Sequence, residues 1–252
     1  MNAVVKLLII GVALSVSSQV YAQKKVTFAA ADGLTITADL YRVDKYAPFI
    51  ILLHRENSSS GEYRDIAFKL QKLGFSSLAV DMRYGKECNY VRNETSKQYL
   101  EQNGGIPATM LDCEKDIAAA INYVTNIAIN KRLIIMGSNF SASLAMKVAN
   151  HNQQVTAVIA FSPGEYFGSN VPVKDWLTDF DQMLFVATTQ HEYPFVTDLI
   201  KSIPADLLTR FQPTSGNGMQ GAPALWNEEP TSNEYWMALM LFLNKVKEAK
   251  YN

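Results

Sequence analysis

Short apolar runs alternate with segments of helical spacing along most of the chain. A continuous run of about four to eight apolar residues predicts a strand buried on both faces of a sheet, whereas apolar residues three and four apart predict an amphipathic helix. The predicted strands are 25–30, 35–41, 49–53, 75–80, 133–136, 157–161, 183–187 and 207–211. The predicted helices are 63–73, 111–124, 142–149 and 232–247. This alternation predicts an α/β fold with a mainly parallel central sheet of about eight strands and helices on both faces.

The carboxyl ends of the strands are the expected place for chemistry in such a sheet. The first two strands flank Ala31-Asp32-Gly33, a turn sequence that predicts a hairpin. The polar stretch 83–107 is the longest segment without either periodicity. We therefore expect it to be irregular and to cover the site end of the sheet.

The first 22 residues have a different pattern. Lys6 precedes an apolar stretch at 7–16, and Val20-Tyr21-Ala22 fits a small-x-small cleavage site. The stretch is shorter than the about 20 residues that a spanning helix needs. The pattern predicts a signal peptide at 1–22 and a single domain at 23–252, hence a secreted or periplasmic protein with no membrane association after cleavage. An uncleaved anchor is the less favoured alternative.

Composition narrows the classes of partner. The 252 residues are 48% hydrophobic and 19% charged, as in one globular domain. The net charge is −1, and loss of Lys6 with the leader makes it −2. No basic stripe is visible, so nucleic acid is not expected as a partner. The three histidines lie far apart and no Cys/His cluster has metal-ligand spacing, so no metal or other cofactor is expected. The oligomeric state is left open.

Two cysteines, Cys88 and Cys113, occur in the chain. In an exported protein such a pair predicts a disulfide. A bridge closing a loop of about 25 residues would stabilise the fold by roughly 3 kcal/mol in the chain-entropy model. Two free thiols are the alternative.

The junction at 137–141 reads Gly-Ser-Asn-Phe-Ser and lies between a predicted strand and a helix of small residues. A nucleophile elbow has the form Gly-x-Ser-x-Gly, with the central serine on the tip of a sharp turn. Small residues, Gly137 and Ser141, flank only position 139. Asn139 therefore occupies the nucleophile position. Asn tolerates the positive φ of such a turn, but a carboxamide is a very poor nucleophile.

Five segments of the chain have sequences and an order that point to a known family. They are 52–63 after the third strand, 74–83 at the fourth strand and its exit, the elbow at 137–144, the turn at 161–167, and the loop at 216–226. In this order they resemble the α/β-hydrolase superfamily, and in particular its dienelactone-hydrolase-like members. The resemblance covers nearly all of 23–252 and implies the α/β-hydrolase fold. It is weaker evidence for activity, because one fold supports many functions.

The resemblance also implies a triad in the chain order Ser, Asp or Glu, His. Asn139 stands at the nucleophile position, and His191 or Glu192 stands at the acid position. Gln220-Gly221 occupies the place of the family's His-Gly pair, so Gln220 stands at the base position. Because glutamine takes up no proton near neutral pH, two of the three groups are lost. We expect a degenerate triad.

The surroundings of the triad follow from the same resemblance. The oxyanion hole would use the backbone N–H of Phe140 and that of Arg55 or Glu56. The residues expected at the rim of the site are His54, Ser138 and Glu165. A pocket with such donors could still bind a small carbonyl or carboxylate ligand.

Three functions remain open. The first is an exported hydrolase-fold protein that has lost its chemistry and acts by binding. The second is an active hydrolase in which Ser138 or Ser141 attacks, with His191 or His54 as base. The third is a protein-interaction partner with a closed site, for which 219–226 and 236–243 could supply apolar surface.

Overall fold

A computed structural model describes residues 23–249. The strands are β1 (Gln23–Ala29), β2 (Thr35–Tyr41), β3 (Phe49–Leu53), β4 (Ser76–Val80), β5 (Glu87–Cys88), β6 (Val91–Arg92), β7 (Leu133–Ser138), β8 (Ala157–Phe161), β9 (Met183–Ala187) and β10 (Leu208–Phe211). The α-helices are α1 (Arg64–Lys72), α2 (Glu94–Gln102), α3 (Glu114–Ile127), α4 (Phe140–Ala149), α5 (Tyr193–Leu199) and α6 (Ser232–Glu248). The predicted signal peptide lies outside the described residues. Among residues 23–249, no helix is long and apolar enough to cross a membrane.

Eight strands form one sheet in the order β1-β2-β4-β3-β7-β8-β9-β10. β2 runs antiparallel to both of its neighbours, and the pairs from β4 to β10 are parallel. This confirms the mainly parallel eight-stranded sheet predicted from the alternation. The hairpin expected around Gly33 is present, because β1 and β2 pair through residues 29 and 35. β7 is central, so its carboxyl end lies in the middle of the site edge.

The sheet has a hydrophobic core on each face. On one face α3, α4 and α5 pack through residues such as Ile117, Leu144 and Leu199. On the other face α1 and α6 pack through residues such as Leu70 and Phe242. Residues of the central strands are buried on both sides, which explains their continuous apolar runs.

Two predicted boundaries change in the structure. The segment 83–107 is not irregular, because it contains the β5–β6 hairpin and the helix α2. Asn93 begins α2 by accepting a hydrogen bond from the Ser96 N–H, a local cap that hydrophobic periodicity does not report. The elbow helix begins at Phe140, two residues before the predicted start, because the turn passes directly into helix.

The predicted disulfide is wrong, because both cysteines are free. Cys113 is fully buried in the core at the start of α3, whereas Cys88 lies in the β5–β6 hairpin beside the 3₁₀ helix Ser60–Tyr63. Burial raises the pKa of the Cys113 thiol well above its ordinary value. An apolar environment therefore accounts for Cys113 as a small hydrophobic residue.

An ionic cluster is buried beneath the start of the segment 83–107. Arg83 is only 2% exposed and donates from Nε to Asp116 Oδ1 at 2.9 Å and from Nη2 to the same oxygen at 2.7 Å. Its backbone N–H also donates to Asp116 Oδ2 at 2.7 Å. Asp32 of the β1–β2 turn accepts from Arg83 Nη1 at 2.6 Å. The cluster thus ties the exit of β4 to α3 and to the hairpin.

Substitution of the buried carboxylate tests how much this cluster contributes to the stability of the fold. Asp116→Asn leaves an amide N–H facing one of the Arg83 donors and removes one of the two carboxylate charges that compensate the guanidinium. We expect a loss of about 3 kcal/mol in the free energy of unfolding, the low end of the usual cost of breaking a buried pair from one side, because Asp32 still faces the guanidinium. Urea denaturation of the wild type and the variant measures it.

The control is Asp206→Asn, which makes the same chemical change at an exposed loop position. It should change the free energy of unfolding by no more than about 0.5 kcal/mol. Equal effects of the two substitutions would mean that the cluster carries no special share of the stability.

Candidate functional site

The elbow places Asn139 at a strained backbone position. Asn139 has φ 56° and ψ −119°, between the end of β7 and the first residue of α4. Its N–H donates to Phe161 O at 2.9 Å, and its carbonyl accepts from the Ala142 N–H at 3.0 Å. The residue is 6% exposed. The turn therefore keeps the geometry of a nucleophile elbow without a nucleophile.

Glu192, and not His191, contacts the residue at the base position. Glu192 Oε1 accepts from Gln220 Nε2 at 2.8 Å. Its other oxygen accepts from Ser162 Oγ at 2.8 Å and from the Thr189 N–H at 3.0 Å. His191 is exposed and its ring lies 6.0 Å from that of Phe195. Of the two residues left open for the acid position, only Glu192 has the geometry of a group that orients its neighbour.

The loop that carries Gln220 is anchored at its glycine. The Gly221 N–H donates to Ser162 Oγ at 3.0 Å, and the next N–H, of Ala222, donates to Ser138 Oγ at 2.9 Å. Gly221 has φ 74°, and a Cβ on it would lie 2.5 Å from both Asn139 Oδ1 and Ser138 Oγ. Gly221 therefore packs directly on the elbow. Through it, the structure brings together Asn139, Gln220 and Glu192.

Neither serine of the elbow has a histidine partner. Ser138 and Ser141 are fully buried. Ser141 Oγ accepts from the Ser138 N–H at 2.9 Å and lies 2.8 Å from Leu53 O, to which it donates. None of the three histidines, all of which lie within residues 23–249, is bonded to either hydroxyl. These hydroxyls close the turn instead of being poised for attack.

The family follows from a match across the centre of the chain. The model of the dienelactone hydrolase family matches residues 36–183, which is more than half of the chain. The chain belongs to the dienelactone hydrolase family. The matched part includes the elbow and ends before Glu192 and Gln220, so the assignment of those two positions depends on the contacts described above.

Solved structures give the same fold at low identity. An esterase of Pyrococcus furiosus superposes with a TM-score of 0.67 at 16% identity, over 89% of this chain and 93% of its own. A dienelactone hydrolase of Anabaena variabilis has a TM-score of 0.67 at 11% identity, over 89% and 98% of the two chains. A dienelactone hydrolase-like promiscuous phosphotriesterase from metagenomic libraries has a TM-score of 0.61 at 14% identity, over 89% and 98%. No curated protein matches the chain. At these identities the likeness shows the fold alone.

One predicted oxyanion donor is already engaged. The Arg55 N–H donates to Glu62 Oε2 at 3.0 Å, an oxygen that also accepts from Ser58 Oγ at 2.8 Å. Arg55 is therefore not available as the second donor of an oxyanion hole. Phe140 begins α4, so its N–H has no acceptor within its own helix.

The side chains of His54 and Glu165 bind backbone atoms of neighbouring loops. His54 Nε2 accepts from the Met82 N–H at 3.0 Å, so Nδ1 carries the proton and donates to Arg55 O at 2.8 Å. Burial lowers the pKa of His54, which favours this neutral form. Glu165 is exposed and accepts from the Val173 N–H at 2.6 Å at the start of the 3₁₀ helix Val173–Leu177. Neither residue has a bond to the elbow or to Gln220.

The side chain of Glu56 reaches the elbow, which the sequence did not indicate. Asn139 Nδ2 lies 3.4 Å from Glu56 Oε1, to which it donates. Tyr166 lies near both carboxylates of this region. Burial raises the pKa of its phenol, and the charges of Glu192 and Glu56 raise it further. Its hydroxyl donates to Ser162 O at 2.9 Å. The only sequence signal for this contact was the position of Glu56 in the loop after β3, two residues beyond His54.

The close packing of Gly221 on the elbow can be tested by adding one methyl group. Gly221→Ala places a Cβ 2.5 Å from two side-chain oxygens and keeps an unfavourable φ of 74°. We expect a loss of about 2–4 kcal/mol in the free energy of unfolding, from backbone strain together with overpacking. Chemical denaturation measures it.

Gly168→Ala is a matched control, because Gly168 has φ 83° and no atom within 4 Å of an added Cβ. It should cost only the backbone strain, about 1–2 kcal/mol. If the two variants were equally stable, the loop of Gln220 would not be packed on the elbow as described.

Proposed function

We propose that the chain is an exported member of the dienelactone hydrolase family that has lost serine-hydrolase chemistry and acts by binding. The observation that carries the proposal is the 2.8 Å bond between Gln220 Nε2 and Glu192 Oε1 beside an elbow tip occupied by Asn139. A serine hydrolase would need a histidine and a serine at these two places. Export rests on the leader pattern at 1–22.

The expected loss of hydrolytic rate is large because the two missing groups, the nucleophile and the base, act together. Asn139 offers no hydroxyl to attack a carbonyl, and Gln220 takes up no proton near neutral pH. In a serine protease, loss of one such group already costs several orders of magnitude in rate, and what remains comes from the oxyanion hole and from binding. Of the two alternatives for the second oxyanion donor, the Arg55 N–H is engaged by Glu62, which leaves that of Glu56. Efficient hydrolysis by this route is therefore not expected.

A second candidate function is a protein-interaction partner with a closed site. Five cavities of the described residues are lined by residues other than Asn139, Glu192 and Gln220, and Asn139 is nearly covered. The helix α6 exposes Met237, Met240 and Leu241 along one stripe, while Trp236 and Phe242 face the core. Sedimentation of the wild type against Leu241→Lys tests this candidate, since an assembly held by the stripe would dissociate in the variant.

Loss of chemistry is tested by labelling and by reversion. We expect no fluorophosphonate labelling of the wild type and no turnover of small aryl esters. In the double variant Asn139→Ser with Gln220→His, the new imidazole would lie against Glu192, as the base does against its acid in a triad. We expect labelling at residue 139 and measurable esterase activity in this variant.

The single variants Asn139→Ser and Gln220→His are the controls. Each lacks one of two groups that act as a unit, so each should stay at least about 100-fold below the double variant. Labelling of the wild type at any serine would contradict the proposed function.

A further inference from the structure

A cavity opens at the amino ends of β3 and β7, at the opposite end of the sheet from the elbow. Its volume is about 250 Å³, which exceeds the roughly 150 Å³ that holds a benzene molecule in an engineered apolar cavity. It is lined by residues of the two strands, the end of α3, the loop between α3 and β7, and the loop after α4. The cavity is therefore separate from the site around Asn139.

The floor of this cavity is apolar. Phe49 and Leu133 are partners in the register of β3 with β7, and Val124 lies in the last turn of α3. These three are the most deeply buried of the lining residues, at 3% exposure or less. Ala128, at the end of α3, adds a further apolar contact at the wall. A ligand that displaces water from this floor must carry an apolar group.

The rim of the cavity carries positive charge. Lys131 and Arg132 both line it, and none of the lining residues is an acid. Among residues 23–249, no ion pair involves Lys131. Arg132 Nη2 donates to Ala249 O at 2.8 Å, which holds the guanidinium in place. Gln153 and Gln154 add side-chain amides that can donate, so the rim favours an anion over a cation.

Hydrogen bonds fix the loop that forms the rim. Asn130 Nδ2 donates to Tyr46 O at 2.8 Å, and Asn130 Oδ1 accepts from the Arg132 N–H at 2.9 Å. The Arg132 carbonyl accepts from the Phe49 N–H at 3.0 Å. These bonds hold the loop against the start of β3, so the walls are in place before a ligand binds. A preformed site loses less conformational freedom on binding.

We propose that this cavity binds a small amphipathic anion, with its apolar tail on the floor and its charged head at Lys131. A tail of about six carbons matches the volume, as the comparison with benzene indicates. Burial of each CH₂ group strengthens binding by about 4-fold, so the tail supplies most of the affinity. The head at an exposed lysine mainly selects the sign of the charge. The site is independent of the proposed loss of catalysis, because the cavity and the elbow share no residue.

Three probes test the tail and the head separately on the purified wild type. They are sodium hexanoate, sodium acetate and hexylammonium chloride at equal ionic strength. Isothermal titration gives the Kd of hexanoate, and at ten times that Kd the melting temperature Tm should rise by about 3–6 °C. Acetate lacks the tail and hexylammonium has the opposite charge, so both should leave Tm unchanged at the same concentration.

A charge reversal tests the position of the head. Lys131→Glu places a like charge beside the anion and should weaken hexanoate binding about 5-fold or more. Lys97→Glu makes the same change at an exposed position of α2 and should keep the Kd of the wild type. Equal loss of affinity in the two variants would mean that only the net charge of the protein matters, and would overturn the site.

Filling the cavity tests the position of the tail. Ala128→Leu adds bulk at the wall and should abolish the heat of hexanoate binding, whereas Ala238→Leu should retain it. Ala238 is also partly buried, but it lies on α6 against the other face of the sheet. Circular dichroism checks that each variant is folded, and Lys131→Glu decides the question if Ala128→Leu is not.

Four results would overturn the proposed site. The first is an absence of both titration heat and a Tm response with hexanoate. The second is an equal response to hexylammonium, which would remove the selection for negative charge, and the third is an equal response to acetate, which would remove the role of the tail. The fourth is hexanoate binding that is unchanged in Lys131→Glu or in folded Ala128→Leu. Fluorophosphonate labelling reports on the elbow alone, so its result leaves this site unaffected.

Discussion

The backbone turn at residue 139 is the constraint on which the arrangement of the site depends. The chain must leave β7, in the middle of the sheet, and enter α4 within one residue at positive φ. Gly137 makes the close approach possible, because a Cβ there would lie 2.5 Å from Ala142 Cα. Asparagine is among the few residues other than glycine that tolerate this backbone region. The turn can therefore form without a serine at its tip.

The contacts that join the other site loops to this turn need no proton transfer. Ser138 and Ser162 each accept a backbone N–H of the Gly221-Ala222 segment, and Ser162 also donates to Glu192. Glu192 in turn holds Gln220 as it would hold an imidazole. A glutamine satisfies this acceptor as well as a histidine does. The scaffold of a triad is consequently stable with neither a nucleophile nor a base in it.

The hydrophobic pattern along the sequence was enough to predict the sheet and the elbow. It was not enough to predict which residues distant in sequence contact each other. The runs at β3, β8 and β9 have the predicted bounds because strands buried on both faces need uninterrupted apolar residues. The order of the segments then predicted Asn139 and Gln220 as positions of the site. The expected disulfide was wrong because cysteine spacing says nothing of distance in the fold. The contact between Glu56 and Asn139 joins residues of two different loops, and no sequence pattern reports it.

A carboxylate stands beside the turn that preserves the fold. A hydrolase elbow combines a helix N-terminus with free backbone donors, so that negative charge developing on an oxygen is stabilised. Here the Arg55 N–H is used by Glu62, and the carboxylate of Glu56 stands against the elbow tip. The helix dipole of α4 then stabilises a charge that the protein already carries. The carboxylate at 56 thus places a negative charge where a hydrolase elbow stabilises the charge that develops on its substrate.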